Sequence, residues 1–134
     1  MTVKELSQLY HLNREIEMDQ QRLSELEAVV SSPSSTNMDG MPRAPGYGDS
    51  LARAVAEIVD LKAIIAAKQQ QCIYERNRLE RYISDIPDSL TRMIFTYRFV
   101  NGLSWWQVAY SIGGNNTGDS VRMRVKRYLN DSGK

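Results

Sequence analysis

A chain of 134 residues with a net charge of +1 and 42% hydrophobic residues has room for one small domain and an extension, which excludes a large enzyme. No apolar run approaches the length a bilayer demands and no signal-peptide layout follows Met1, so a cytoplasmic protein without a membrane partner is expected. One cysteine, Cys72, leaves no internal disulfide to form, in keeping with a reducing compartment.

In chain order, the first predicted element is a helix over 1–30. Thr2 and Glu5 have the spacing of a capping box. Leu9, Leu12, Ile16, Leu23, Leu26 and Val30 then recur in alternating steps of three and four, a narrow seam that Asp19 interrupts. The other positions are polar, so this helix needs a partner to be stable. His11 stands alone on a polar face, which gives no basis for a metal site. Residues 31–48 are rich in Ser, Pro and Gly and lack a hydrophobic period, which predicts a flexible linker.

A second long helix is predicted from Asp49 or Ser50 to Ile86, where Pro87 disfavours helix in the residue before it. Every seventh residue from Leu51 is apolar: Ile58, Ile65, Cys72, Leu79 and Ile86. The companion positions are read as Val55, Lys62, Gln69, Arg76 and Ile83, a half-polar row of the kind that sets register and partner number. With about 44 Å and 55 Å of helix respectively, the two stripes can pair as an antiparallel hairpin within one chain. They can equally pair between chains, in a homo-oligomer. Cys72 reads as a small buried apolar residue and not a nucleophile.

Asp88 is placed to cap a third helix carrying Leu90, Met93, Ile94, Tyr97 and Val100, stopped by Asn101–Gly102. The next helix begins at Ser104, paired with Gln107 as a capping box, and turns Trp105, Val108, Ala109 and Ile112 to one side. Trp105 and Trp106 cannot both face the core, so Trp105 is expected inside and Trp106 outside. Gly113–Gly114 ends this helix, and Thr117 caps the last one, whose Val121, Val125, Tyr128 and Leu129 face inward. Arg124 is expected to point sideways, towards the long helices or Tyr128.

Arg122, Met123, Lys126 and Arg127 occupy the opposite side, and residues 88–134 hold 7 Lys/Arg against 3 Asp/Glu, whereas 1–87 hold 10 against 13. Two short helices around a glycine-rich turn, the second one basic, make the outline of a helix-turn-helix DNA reader. Arginine can bond guanine through two donors and lysine can neutralise phosphate, so Arg122, Met123, Lys126 and Arg127 are assigned to the major groove. Asn115, Asn116, Thr117 and Ser120 at the helix entrance suit a phosphate oxygen. Asp119 opposes this locally, although it suits the first turn of a helix. The alternative for these charges is a solvated face without a ligand.

The Gly-Leu-Ser start at 102–104, the Val-Ala of 108–109, the Ile-Gly end at 112–113 and the Val-Arg helix closing on Tyr-Leu at 128–129 resemble region 4 of sigma-70-type transcription factors. The pattern is more similar still to small region-4-like proteins of bacteriophages and prophages, including phage late-gene transcription regulators. The resemblance covers the last third of the chain, and residues 114–118 make a longer turn than ordinary region 4 has. It implies transcription regulation in a bacterial host cell, with double-stranded DNA and RNA polymerase or another host protein as partners. The expected fold is all-α, a long two-helix coiled-coil arm over 1–30 and 49–86 followed by a three-helix helix-turn-helix domain over 87–134.

No catalytic cluster, phosphate-binding glycine loop or nucleophile elbow is present, so the sequence predicts a non-enzymatic regulator without cofactor or metal. Two other classes share its features. A small terminase-like DNA-packaging subunit also joins a helix-turn-helix to oligomerising helices, and a phage inhibitor of a host protein could use the same fold to bind protein.

Overall fold

The computed structural model describes residues 1–31 and 47–132, and these are all-helical, with no strand among them. Helices α1 (Val3–Leu6), α2 (Gln8–Ser31), α3 (Tyr47–Ser84), α4 (Ser89–Phe95), α5 (Trp105–Ile112) and α6 (Gly118–Ser132) follow in order, with a π-helical turn, Thr96–Val100, extending α4. Of the predicted linker, Ser31 ends α2 and Tyr47–Gly48 open α3; the remainder lies outside the described residues. Two compact units are formed, Met1–Asn13 with Gln71–Lys134 and Arg14–Gln70, which cut across the element boundaries.

The predicted first helix is divided at Ser7. Thr2 Oγ1 accepts from the Glu5 amide at 3.2 Å, so α1 has the Thr2 half of the expected capping box. The seam of α2 faces inward: Leu9, Ile16 and Leu26 are buried, and Leu12, Leu23 and Val30 half-buried. In α3, Ile65 and Leu79 are buried and Leu51, Ile58 and Cys72 half-buried.

The companion row of α3 differs from the expected one. Of that row only Ile83 is buried; Val55, Lys62, Gln69 and Arg76 are exposed, and the half-buried row is instead Ala54, Leu61, Lys68, Glu75 and Tyr82. Positions three and four residues beyond an apolar stripe flank it on opposite sides, and only the partner helix decides which flank is covered. The partner is α2 of the same chain. Within Arg14–Gln70, Lys68 Nζ lies 2.6 Å from Asp19 Oδ2 and 3.2 Å from Glu15 Oε2, and Arg22 reaches Glu57 at 3.6 Å. Asp19, the residue that breaks the apolar seam of α2, therefore meets the lysine that breaks the seam of α3. The stripes face one another as an antiparallel hairpin, the first of the two pairings open to the sequence.

In the other unit, Asp88 caps α4, accepting from the Thr91 amide at 3.1 Å. The buried residues of this segment are Thr91, Ile94, Phe95 and Phe99, while Leu90, Tyr97 and Val100 are half-buried and Met93 is exposed. The expected face thus omitted both phenylalanines. Phe95 is fully enclosed, with Phe99 at 5.4 Å and Tyr128 edge-on at 5.5 Å between ring centres. The π turn closes with the Asn101 amide on Thr96 O, and Gly102 at φ 72° lets the Leu103 amide return to Tyr97 O.

Around Phe95 the core gathers Val108, Ala109, Val121 and Val125 from α5 and α6, but also Leu6, Leu9, Leu79, Ile83 and Ile86. The helix-turn-helix is therefore not a self-sufficient three-helix unit. Each of the valine, leucine and isoleucine side chains stabilises it by about 1.5–3 kcal/mol on burial.

Candidate nucleic-acid interface

Each helix of the candidate interface is fixed by its own end. The Ser104 amide donates to Gln107 Oε1 at 2.8 Å and the Gln107 amide to Ser104 Oγ at 3.2 Å, a complete capping box that starts α5. Gly113 and Gly114 end it at φ 80° and 69°, conformations that favour glycine. Asn116 Nδ2 then donates to Gly113 O at 2.9 Å and closes the turn.

Thr117 and Ser120 start α6 reciprocally. The Ser120 amide donates to Thr117 Oγ1 at 3.1 Å, and the Thr117 amide donates to Ser120 Oγ at 2.8 Å. Serine here takes the part that Glu or Gln usually has in a capping box. Gly118 follows directly, close to α5: a Cβ built on it would lie 3.4 Å from the Trp106 backbone nitrogen and 3.5 Å from Trp105, ordinary van der Waals contact.

Val121 and Val125, at 1% and 2% exposure, set the rotation of α6. Arg122, Lys126 and Arg127 are exposed and Met123 half-buried; Arg122 and Lys126 flank Val125, while Met123 and Arg127 lie towards the far side of the helix. The Arg122 guanidinium stands 3.7 Å from the exposed Asp119 carboxylate, a weak surface pair. Asn115, Asn116, Thr117 and Ser120 are exposed at the entrance, yet Asn116, Thr117 and Ser120 already hold the turn and cap together. Their positions are those predicted; their hydrogen-bonding capacity is partly used.

Arg124 does not turn towards Tyr128 or the long helices. It reaches the first turn of α4, where Nη2 donates to Asp88 Oδ2 at 2.9 Å and Nε to Thr91 Oγ1 at 3.4 Å. The Thr91 hydroxyl, then the Arg124 guanidinium, then the Thr91 amide hold the Asp88 carboxyl down at about 2.

The sequence places Trp105 inside and Trp106 outside, and the structure agrees. Trp105 meets Phe99 edge-on at 6.3 Å, with the Arg98 guanidinium 4.4 Å above its ring. Trp106 is 71% exposed and stacks on Tyr110, itself 78% exposed, at 5.8 Å and 17°. The pair borders a groove of about 440 Å³ running past Gly113, Gly114, Asn116 and Thr117. Tyr110 was not singled out from sequence, although its position four residues after Trp106 on one helix is the signal that could have found it.

His11 packs edge-on against Tyr10, and among the described residues no group of three His, Cys, Asp or Glu could hold a metal ion. The half-buried Cys72 thiol donates to Asn13 Oδ1 at 3.5 Å, and burial pushes its pKa up, away from the thiolate. Among the described residues no helix is long and apolar enough to cross a membrane.

Comparison with known protein families, curated proteins and solved structures returns no match to this chain.

Proposed function

We propose that this protein is a non-enzymatic, sequence-specific DNA-binding regulator of transcription, of the phage or prophage sigma-region-4-like kind. The observation that carries the reading is the rotation of α6. Its buried valines leave Arg122, Lys126 and Arg127 exposed on the helix that follows a short capped helix and a glycine turn. That arrangement suits entry of one edge into a major groove, with base contacts from arginine and phosphate contacts from lysine. Regulation, and RNA polymerase as partner, rest on the sequence resemblance. Self-association belongs to the same proposal, since Val55, Val59 and Ile64 leave apolar surface exposed on α3.

The test is selection from a random DNA pool with the purified full chain, paired with light scattering for particle size. One enriched motif bound by a monomer or dimer is the expected result. Replacing Arg122 and Lys126 by alanine should weaken binding about ten- to a hundred-fold and reduce the salt slope by about two, with helicity unchanged. Unaltered affinity in that variant would remove α6 as the reading helix. A large ring would favour the packaging subunit.

A second reading has its own observation. Trp106 and Tyr110 form an exposed stacked pair, and large exposed aromatics are characteristic of protein-binding surfaces. Failure to enrich any DNA, in a small particle of intact fold, would favour a host-protein inhibitor acting through this pair.

A further inference from the structure

We infer that the unit carrying α4–α6 holds a binding site for a small amphipathic anion, a carboxylate or sulfonate on an aromatic or aliphatic body. The site is a cavity of about 610 Å³ between residues 1–3 and one side of α6. That volume lies within the roughly 300–1,000 Å³ usual for small-molecule sites. Its lining combines two chemistries. Trp105, Val125 and Leu129 supply apolar surface, and Arg98, Arg122 and Lys126 supply three cations, with no carboxylate among the described lining residues.

Arg98 is the positioned member. One of its Nη groups donates to Leu103 O at 2.9 Å, and its guanidinium carbon stands 4.4 Å over the Trp105 ring. A guanidinium carries five donors, so most of its capacity remains for a ligand on the apolar wall. Asp119, the acid beside Arg122, is 91% exposed at its side chain and does not line the cavity. A neutral apolar ligand would leave three gathered cations uncompensated, and a bare inorganic anion would leave the Trp105, Val125 and Leu129 surface wet. An amphipathic anion satisfies both. Arg122 and Lys126 also belong to the proposed DNA face, so a bound anion would compete with DNA for them. That consequence rests on the DNA reading; the site itself does not.

The experiment titrates the full chain, without DNA, with naphthalene acetate and with its neutral counterpart naphthalene ethanol, following backbone amide resonances. Saturable shifts confined to residues 1–3, 98, 105, 122 and 125–130 are expected, with the acid bound about ten-fold more tightly than the alcohol. The double variant Arg122→Gln/Lys126→Gln lies on the surface and should lose about ten-fold in affinity for the acid, with alcohol binding and helicity unchanged. Equal affinity for acid and alcohol, shifts centred on Trp106 and Tyr110, or no shift at millimolar probe would overturn the site. A chain that binds the acid as expected and no DNA would keep the site and overturn the DNA reading.

Discussion

Arg124 joins the last helix to the start of α4, and the charge it meets gives the fold a pH dependence. The Asp88 carboxyl titrates near 2 in the folded chain against 3.8 ordinarily, so its contribution is complete above the ordinary value and is lost as pH falls towards 2. Asn caps a helix about as well as Asp but carries no charge. Asp88→Asn should therefore lower the thermal midpoint at neutral pH and flatten its fall between 3.8 and about 2; an unchanged profile would mean that the Arg124 contact adds nothing. Gly113 makes a different prediction at this scale. It sits at φ 80°, ψ −163°, with nothing within 4 Å of a Cβ built there, so Gly113→Ala tests backbone conformation alone. A loss of about 1–3 kcal/mol in denaturant unfolding is expected. The glycine pair and the Ser104–Gln107 cap were legible because local chemistry decides them. The Arg124–Asp88 contact was not, because it joins positions 36 apart in sequence.

At the scale of elements, heptad spacing located both long helices and their apolar stripes but chose the wrong flank for the polar row of α3. The two flanks of a stripe are equivalent until a partner is docked, and here Asp19 and Lys68 settle the matter at 2.6 Å. Their side chains are only 23% and 24% exposed, and the bond to Asp19 raises the Lys68 pKa. Removing one partner by Asp19→Ala should cost about 1 kcal/mol in urea unfolding. Changing both to leucine should leave stability equal or higher while loosening the register, since a stripe without its polar pair can slide by a heptad. Distance measurements between spin labels on α2 and α3 would read that loss, and one sharp distance in the double variant would argue against a register role for the pair. Phe95 and Phe99 escaped the sequence reading for a related reason: several rows of α4 are apolar, and the core selects among them from outside.

At the scale of the whole molecule, the domain that the sequence assigned to 87–134 ends too soon. Leu6, Leu9, Leu79, Ile83 and Ile86 share a core with Val108, Val121 and Val125. A fragment 87–134 would leave that core open, at about 1.5–3 kcal/mol for each missing aliphatic contact. It should show no cooperative thermal transition by circular dichroism, whereas the full chain should. A cooperative transition in the fragment would restore the smaller domain. The all-α class, the order of elements and the inner and outer sides of α5 and α6 could be read from periodicity and caps. The share of the long helices in that core could not, because the apolar stripe of α3 runs on through Leu79 with nothing in the spacing to mark where one partner gives way to another.

One compact unit is assembled from Met1–Asn13 and Gln71–Lys134. Ribosomes add roughly 5–20 residues per second, so the opening leucines leave the exit tunnel several seconds before the helices that cover them have been made. During that interval Leu6 and Leu9 have only solvent or a chaperone to meet. The unit can close only late in synthesis, and a chain truncated by a premature stop within α5 or α6 would leave those leucines open to the cell's quality-control machinery.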